Sequence, residues 1–336
     1  MRKLLTSLVL GMFVGCAQPA GVLDDEQQTS PLEQILNDAQ VENRVLDKEL
    51  DLNDPVDLRQ RGNEYFAQGD FDQAISYYTA SLAAKEDAKS YFNRAVVYMS
   101  KNDFDKALAD YDMAVKLEPK EASPYINRGL LLHRMGKTAQ GINDLTEAMK
   151  HDATDATIPL NRGLLYLSIN LFDRALADFN QAVEKDGKYA DAYVNRGYCK
   201  HRMKQYKEAV GDFAEAIKLA PLNVLAFSNR GNSHTQLKEY DKAIADLDEA
   251  IRLESRDPNL YNNRGSSYGA KGNHVAAAAD FGRAIELAPD FASPYRNRAF
   301  ANHALGQADK ARSDFAAALK LEPEVREGIP AEYLPK

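Results

Sequence analysis

The sequence predicts an all-α protein that consists of eight contiguous helix-turn-helix repeats. Three observations predict this fold: a small residue that recurs every 34 positions, apolar residues at helical spacing on both sides of it, and a polar break between the two apolar runs. We call the small residue the origin of its repeat. The origins are Gly62 (one residue short of the 34-residue step), Ala95, Gly129, Gly163, Gly197, Gly231, Gly265 and Ala299.

Each half of a repeat reads as a helix. Tyr193, Val194 and Tyr198 lie at helical spacing around the origin Gly197, and a second apolar run starts at Ala209. Small residues mark the places where two antiparallel helices approach most closely. One such hairpin cannot bury its apolar face alone, so neighbouring hairpins stack. Proline lacks the backbone N–H that a helix needs, and a proline follows the second helix of several repeats. These prolines are Pro119, Pro221, Pro289 and Pro323.

A 34-residue unit with this pattern resembles the tetratricopeptide repeat, and the resemblance covers Val56 to Pro323. It implies a right-handed superhelical solenoid with a concave groove. The predicted organisation is a lipoprotein signal peptide at 1–15, a lipidated tether with a short amphipathic helix at 16–55, the solenoid at 56–323 and a tail at 324–336. In the tail, Ile329, Tyr333 and Leu334 are expected to fold back over the last repeat; the alternative is an oligomer contact at that edge.

The first residues of the chain have the features of a secretory signal. Two basic residues precede the apolar run Leu4 to Gly15, which is too short to span a bilayer but suits a signal core. Phe13-Val14-Gly15-Cys16 resembles a bacterial lipoprotein cleavage box, which implies acylation of Cys16. The residue after it is Ala17, which by the family's sorting rule favours an outer-membrane lipoprotein facing the periplasm. The alternative is ordinary cleavage nearby, with Cys16 incidental.

Charge and cysteine content narrow the functional classes. Loss of residues 1–15 would leave 40 basic and 50 acidic residues, a net charge of −10. Such an acidic body argues against nucleic acid and against electrostatic docking on anionic lipid. Cys16 and Cys199 are the two cysteines, so lipidation of Cys16 leaves no internal disulfide. Cys199 is predicted to be a small packing residue.

An arginine precedes every origin, and an aspartate follows the origin by fifteen residues in every repeat except the first, which has Tyr77. Their joint recurrence predicts an ion pair between facing helices, either within one hairpin or to the next one. The arginines are Arg61, Arg94, Arg128, Arg162, Arg196, Arg230, Arg264 and Arg298, and the aspartates are Asp110, Asp144, Asp178, Asp212, Asp246, Asp280 and Asp314.

The sequence shows no pattern for catalysis or metal binding. It has no Gly-rich phosphate loop, no His-Glu-x-x-His and no cysteine pair at metal spacing. His133, His201 and His303 share one register but lie in repeats three, five and eight, too far apart to share a metal. We therefore expect a protein that is not an enzyme and has no cofactor, metal or small-molecule substrate.

The candidate functional feature is an asparagine two residues before each origin, with Gln60 in the first repeat. These residues are Asn93, Asn127, Asn161, Asn195, Asn229, Asn263 and Asn297. In tetratricopeptide superhelices this side of the first helix lines the concave groove. An amide both donates and accepts hydrogen bonds, so such a row suits a peptide main chain whatever its side chains are. The alternative is that the asparagines only connect adjacent helices.

Neighbouring groove positions refine the expected ligand. Predicted charges at Arg59, Lys89, Arg134, Asp191, Arg202 and Arg296 give a net +4 on an acidic molecule. Predicted apolar positions are Phe92, Val96, Met99, Ile126, Leu130, Leu160, Leu164, Val194 and Tyr198, and predicted polar ones are Ser228, Asn232, Gln236, Asn262 and Ser266. This combination favours an extended, partly apolar, acid-containing segment. The alternative for some of the apolar residues is a place in the core, since an apolar helical stripe is more often packing than a ligand site.

The family's carboxylate clamp, which binds a peptide C-terminus, is only partly matched. Arg59, Asn63 and Asn93 fit its first two repeats, but Ser123 and Asn127 stand where it needs two cations. The leading hypothesis is therefore a membrane-anchored, non-catalytic scaffold that binds peptide segments of envelope proteins, for which family analogy suggests pilus or secretin assembly or the presentation of clients to envelope enzymes. The alternative is a self-associating solenoid that builds a homo-oligomer or larger envelope complex through its ends or convex face.

Overall fold

The structure, a computed structural model, describes residue 51 and residues 53–326 and 328–334. All regular secondary structure in these residues is helical: sixteen α-helices followed by two short 3-10 helices. The predicted signal peptide, the lipidated Cys16 and the amphipathic helix before residue 50 lie outside the described residues. The chain divides into two compact units, residues 1–186 and 187–336, which are described separately.

Eight helices form the described part of the first unit. They are α1 (Pro55–Gln68), α2 (Phe71–Ala84), α3 (Ala88–Ser100), α4 (Phe104–Leu117), α5 (Ala122–Arg134), α6 (Thr138–His151), α7 (Thr157–Ser168) and α8 (Phe172–Lys185). The odd-numbered helix of each hairpin packs on the even-numbered helix that follows it. Successive hairpins contact each other through the second helix of one and the first helix of the next.

The second unit repeats this arrangement. Its helices are α9 (Ala190–Arg202), α10 (Tyr206–Leu219), α11 (Val224–Gln236), α12 (Tyr240–Leu253), α13 (Pro258–Lys271), α14 (His274–Leu287), α15 (Ala292–Ala304) and α16 (Ala308–Leu321). Here α9 contacts α11, α11 contacts α13 and α13 contacts α15, as α1 contacts α3 and α5 contacts α7 in the first unit. The first helices of neighbouring hairpins therefore lie side by side, which is the predicted helical repeat fold within each unit.

The turn inside several hairpins depends on a left-handed residue. Glycine fills this position in some turns, as at Gly69 with φ 81° and Gly272 with φ 90°. Asn102 and Lys204 adopt φ 60° and 62° in others. A left-handed residue ends a helix because it redirects the chain while the last carbonyls still receive hydrogen bonds. These turns are the polar breaks that separate the two apolar runs of each repeat.

The origin is a small residue in every repeat for a steric reason within the hairpin. A Cβ atom on Gly163 would lie 2.7 Å from the ring of Phe179, and one on Gly129 would lie 2.9 Å from the carbonyl oxygen of Gly141. The phenylalanine ring is fully buried at this crossing. A larger origin would therefore force the two helices apart and open the core, which confirms the close approach predicted from the 34-residue period.

The predicted arginine–aspartate pair forms inside the hairpin. In the seven hairpins that have both residues, Nε and Nη2 of the arginine donate to Oδ2 and Oδ1 of the aspartate sixteen residues later, at 2.6–3.0 Å. This bidentate geometry is the strongest arrangement for such a pair. In the first hairpin Arg61 binds Glu64 of its own helix instead, at 2.6 Å.

Each of these aspartates is buried, whereas the arginines keep partial access to solvent. In every pair except that of Arg162, the guanidinium also lies over the aromatic ring three residues before it, as Arg196 does over Tyr193 at 5.2 Å. In Arg264, hydrogen bonds and charge from Asp280, together with Asp248, raise the pKa despite the opposing effect of burial. The guanidinium is therefore a permanent cation that compensates a buried carboxylate.

The C-terminal tail folds back over the last hairpin, as predicted. Residues Pro323–Arg326 and Ala331–Tyr333 form the two 3-10 helices, and both Ile329 and Tyr333 are only 6% exposed. The Tyr333 ring lies 5.2 Å from the ring of Phe315, and its hydroxyl lies 2.9 Å from His303 Nδ1. The tail thus covers apolar surface that no further hairpin covers among the described residues.

Tyr333 substitutes for a residue of a next hairpin. His201, in the same register as His303, bonds Ser233 on the first helix of the following hairpin at 2.9 Å. His303 makes the matching bond to Tyr333. The tail therefore acts as the end cap that a stack of repeats requires.

Deletion of residues 324–336 should lower the melting temperature, because two buried side chains worth about 1.5–3 kcal/mol each would be lost. Tyr333→Ala should give a smaller decrease, and Glu332→Ala, at an exposed tail position, serves as the control. Thermal unfolding followed by circular dichroism measures these shifts. An unchanged melt after the deletion would show that the tail does not stabilise the last hairpin.

Arg162→Ala should destabilise the first unit by roughly 3–5 kcal/mol, because it leaves the buried Asp178 carboxylate uncompensated. Arg252→Ala is the matched control: it removes an arginine that pairs with Glu249 on an exposed surface, which should change stability by less than about 0.5 kcal/mol. Urea denaturation compares the two variants. Equal midpoints for both would contradict a structural role for the buried pair.

Candidate peptide-binding surface

The asparagines of the predicted row lie on the first helices of the hairpins. In the first unit Asn93, Asn127 and Asn161 lie on α3, α5 and α7; in the second, Asn195, Asn229, Asn263 and Asn297 lie on α9, α11, α13 and α15. All are buried or half-buried. Since the first helices of a unit lie side by side, residues at one repeat position form a row across them. We call these residues the asparagine rows of the two units.

One part of the first row is a buried hydrogen-bond network between helices. Asn63 Oδ1 accepts from the Tyr78 hydroxyl at 2.7 Å and from Asn93 Nδ2 at 2.9 Å. Burial raises the pKa of Tyr78 well above its usual range, so its hydroxyl remains a donor. The bond between Asn63 and Asn93 is the helix-to-helix contact that the alternative interpretation describes. It also engages two of the three residues that resemble the carboxylate clamp.

Other amides of the rows make local bonds. Asn127 Nδ2 donates to the carbonyl of Ser123 and Asn195 Nδ2 to that of Asp191, each at 2.9 Å and within its own helix. Asn297 Nδ2 donates to Asn262 Oδ1 on the preceding first helix, also at 2.9 Å. Bonding between asparagines thus accounts for Asn93 and Asn297 but not for the other members of the rows.

Several amide groups have no hydrogen-bond partner among the described residues. The side chains of Asn161 and Asn263 make no such bond, and Oδ1 of Asn195 and Nδ2 of Asn229 are buried without one. A buried polar group without a partner costs free energy. Most such groups in folded proteins are paired with protein, water or ligand. The half-buried Asn161, Asn229 and Asn263 therefore retain the capacity to bond an added main chain, whereas Asn195 is fully buried.

The charged residues predicted for the groove differ in their surroundings. The predicted net charge of +4 is too high, because it omitted the carboxylate of Asp87. Arg59 Nη1 pairs with Asp87 Oδ1 at 3.1 Å. Arg134 lies 4.4 Å from the ring centroid of Phe104, and Arg202 Nη1 donates to the Tyr198 hydroxyl at 3.2 Å. Arg134, Arg202 and Arg296 are therefore held against aromatic rings, which limits their rotation, whereas Lys89 is exposed.

The predicted apolar positions contribute mostly to packing. Val96, Leu160 and Val194 are buried, so they belong to the core and are not available to a ligand. Their assignment to the groove is wrong because neighbouring side chains cover them. Register alone does not decide this, since Phe92, Ile126 and Leu130 occupy the same registers and are only partly buried. The partly buried positions keep some exposed surface while packing against the core; they include Phe92, Met99, Ile126 and Leu130.

Tyr78 escaped the sequence analysis, and Asn262 was predicted only as a polar groove position and not as a partner of Asn297. Tyr78 stands sixteen residues after its origin, where most repeats have Phe or Leu, and its extra hydroxyl is the signal that could have indicated a buried acceptor. Asn262 lies beside Asn263 and binds Asn297 of the next hairpin. A second asparagine next to the periodic one was the available signal for that contact.

The described residues contain no group of three His, Cys, Asp or Glu side chains that could hold a metal ion. The three histidines of one register each bond a neighbouring side chain: His133 to Thr138, His201 to Ser233 and His303 to Tyr333. Cys199 is fully buried, in keeping with a packing role. None of the helices in the described part of the chain combines the length and the apolar character that a membrane span needs.

Comparison with known families agrees with the repeat fold. Tetratricopeptide repeat models match residues 59–124, 95–160, 160–223 and 258–291, and a TPR repeat model matches residues 231–272. A tetratricopeptide repeat protein from Parabacteroides merdae superposes with a TM-score of 0.60 at 23% identity, covering 71% of this chain and 95% of that one. The chain is therefore a tetratricopeptide repeat protein, with the fold of a protein-interaction scaffold.

Other similar proteins share parts of this array. The pilF protein of Pseudomonas aeruginosa superposes with a TM-score of 0.53 at 20% identity, covering 60% of this chain and 92% of that chain. Human tetratricopeptide repeat protein 12 is 42% identical over 64 residues, which is 19% of this chain and 9% of that protein. This chain spans less than a tenth of the length of the curated relatives it matches first.

Proposed function

We propose that the asparagine rows hold the main chain of an extended segment from a partner protein, so that the chain acts as a non-catalytic scaffold. The observation that carries this proposal is the set of row amides without a protein partner, at Asn161 in the first unit and at Asn229 and Asn263 in the second. Each amide offers both a donor and an acceptor, and a peptide main chain offers their complements at every residue. Recognition of this kind does not depend on the partner's side chains.

The surroundings of the rows favour a partner with acidic and apolar residues. Arg134, Arg202 and Arg296 lie at the predicted groove positions of a molecule whose overall charge is negative. A local reversal of charge attracts segments that carry Asp or Glu and disfavours basic ones. Partly exposed apolar side chains such as Phe92 and Met99 provide contact area for the partner's apolar residues.

The tail covers the C-terminal end of the second unit, which favours binding in a groove over self-association at that end. Ile329 and Tyr333 bury the apolar surface of the last hairpin under the chain's own tail. A second copy would have to displace the tail before it could stack there. The end surface of the second unit is thus less suited to building an oligomer than the alternative hypothesis requires.

We further propose that the scaffold is anchored to a bacterial outer membrane, facing the periplasm, by acylation of Cys16. The support is the sequence pattern at residues 2–17: two basic residues, a short apolar run and a small residue before the cysteine. An acidic protein gains no electrostatic attraction to anionic lipid, so a covalent anchor is the mechanism that suits its charge. Its partners would then be proteins of the cell envelope.

Replacement of Asn161, Asn229 and Asn263 by alanine should reduce partner capture by about tenfold or more, because several hydrogen bonds worth about 0.5–1.5 kcal/mol each are lost. A photo-crosslinking amino acid at the exposed Gln236, at the end of α11, reports capture in cells. The exposed Asn143 on α6 gives the matched control, Asn143→Ala. Undiminished capture by a triple variant that melts like the wild type would show that the rows do not hold the partner.

Cys16→Ala should abolish incorporation of a clickable fatty acid and release the protein from the membrane fraction. Cys199→Ala, at the buried cysteine, is the control and should keep the label. Gel fluorescence after metabolic labelling measures the incorporation. Equal labelling of the Cys16→Ala variant and the wild type would contradict the anchor, and it would leave the proposal for the asparagine rows unaffected.

A further inference from the structure

The third nitrogen of the paired arginines usually connects one hairpin to the preceding one. Nη1 of Arg128 donates to Asp112 at 2.8 Å, and Nη1 of Arg264 donates to Asp248 at 2.7 Å. Arg94 and Arg162 make the same kind of bond to threonine hydroxyls, at 2.9 and 3.0 Å. We call the residue that accepts from Nη1 the cross-hairpin acceptor. The acceptors are Thr79, Asp112, Thr146 and Asp248.

For the arginine of the last hairpin, Arg298, the acceptor position on the preceding hairpin is a glycine. Gly282 lies sixteen residues before Arg298, as Asp248 does before Arg264. A Cβ atom on Gly282 would lie 3.5 Å from Arg298 Nη1, so the acceptor position is close but carries no side chain. Arg298 Nη1 makes no hydrogen bond among the described residues, and the side chain is 28% exposed, against 20% for Arg264.

A cavity of about 550 Å³ lies beside Arg298, bordered by α14, α15 and α16; Gly282 follows its lining residues Ala278 and Ala279 by one turn of α14. Its lining includes Arg298, Lys310 and Ser313 on the polar side and Val275, Ala278 and Ala279 on the apolar side. Val275 is 68% exposed. The cavity is therefore an open pocket that is lined by an arginine, a lysine and a serine together with small apolar side chains.

The carboxylate already in the pocket is fully engaged. Asp314 accepts from Nε and Nη2 of Arg298 at 2.9 and 2.7 Å and from Asn302 Nδ2 at 3.0 Å. It neutralises one of the two cations, and Lys310 has no ion-pair partner among the described residues. The pocket thus carries one net positive charge and a free, directed N–H donor.

We propose that this pocket binds the carboxylate of an aspartate or glutamate side chain from a partner protein. The geometry points to a carboxylate because the same nitrogen binds one in the hairpins of Arg128 and Arg264. The incoming carboxylate accepts from Arg298 Nη1, Lys310 adds a second attraction, and the partner's methylene groups contact Val275 and Ala279. This second docking point is independent of the asparagine rows.

A titration monitored on the arginine side chains tests the proposal. The whole chain, labelled with ¹⁵N, is titrated with a capped tetraglutamate peptide and in parallel with a capped tetraglutamine peptide, and the Nε–H signals of Arg298 and Arg264 are followed. We expect a saturable shift of the Arg298 signal with the glutamate peptide only. The Arg264 signal should not move, because Asp248 already occupies its Nη1.

Two substitutions at Gly282 provide a matched pair. Gly282→Ala adds a methyl group in ordinary contact and leaves Nη1 free, so it should keep the affinity for the glutamate peptide. Gly282→Asp supplies the missing cross-hairpin acceptor from within the chain and should weaken the peptide by about tenfold or more, the worth of one hydrogen bond to a charged group. Both replace a helical glycine and should melt no lower than the wild type.

Three results would overturn the proposal: no shift of Arg298 with the glutamate peptide, equal shifts at Arg264 and Arg298, or full affinity in Gly282→Asp. Lys310→Ala is an additional variant that leaves the hairpin contacts intact. Unchanged peptide affinity in this variant would show that the lysine does not contribute to binding. A shift that persists in the Asn161→Ala, Asn229→Ala and Asn263→Ala variants separates this pocket from the asparagine rows.

Discussion

The bidentate bond between an arginine of the first helix and an aspartate of the second is the interaction on which seven of the eight hairpins depend. The aspartate is buried, and a carboxylate in such a place is tolerated only with a partner that compensates its charge and fills its hydrogen-bonding capacity. The pair contributes little net stability over an apolar contact. Its value lies in the registry it imposes, because a shift of one helix along the other would leave both charges unpaired.

The same guanidinium has a third nitrogen, and its partner varies from hairpin to hairpin. Asp112 and Asp248 provide carboxylates, Thr79 and Thr146 provide hydroxyls, and Gly282 provides nothing. The invariant part of the interaction maintains the hairpin, and the variable part determines what the surface between two hairpins can bind. A repeat protein can therefore acquire a local binding site by losing a side chain without altering its fold.

The sequence predicted the repeat fold and the residues of the candidate surface, but not their bonding. The 34-residue period located the asparagines correctly because it places them at one position on every first helix. Whether an amide can bond a ligand depends on whether a neighbouring side chain already bonds it. The Tyr78 hydroxyl bonds Asn63, and Asn262 bonds Asn297. The charge of the surface was overestimated for the same reason, since Asp87, outside the register considered, neutralises Arg59.

The amino-acid sequence by itself determined the number of hairpins, their boundaries and the arginine–aspartate pair. Each of these features depends on contacts within about one repeat. The repeat pattern occurs eight times in the sequence, so the features can be recognised from several copies. Only the tertiary structure decided which amides remain without a partner, how the tail covers the last hairpin and where a pocket opens beside Arg298. These features arise between hairpins, where the contacting side chains differ at every step, so no period in the sequence describes them.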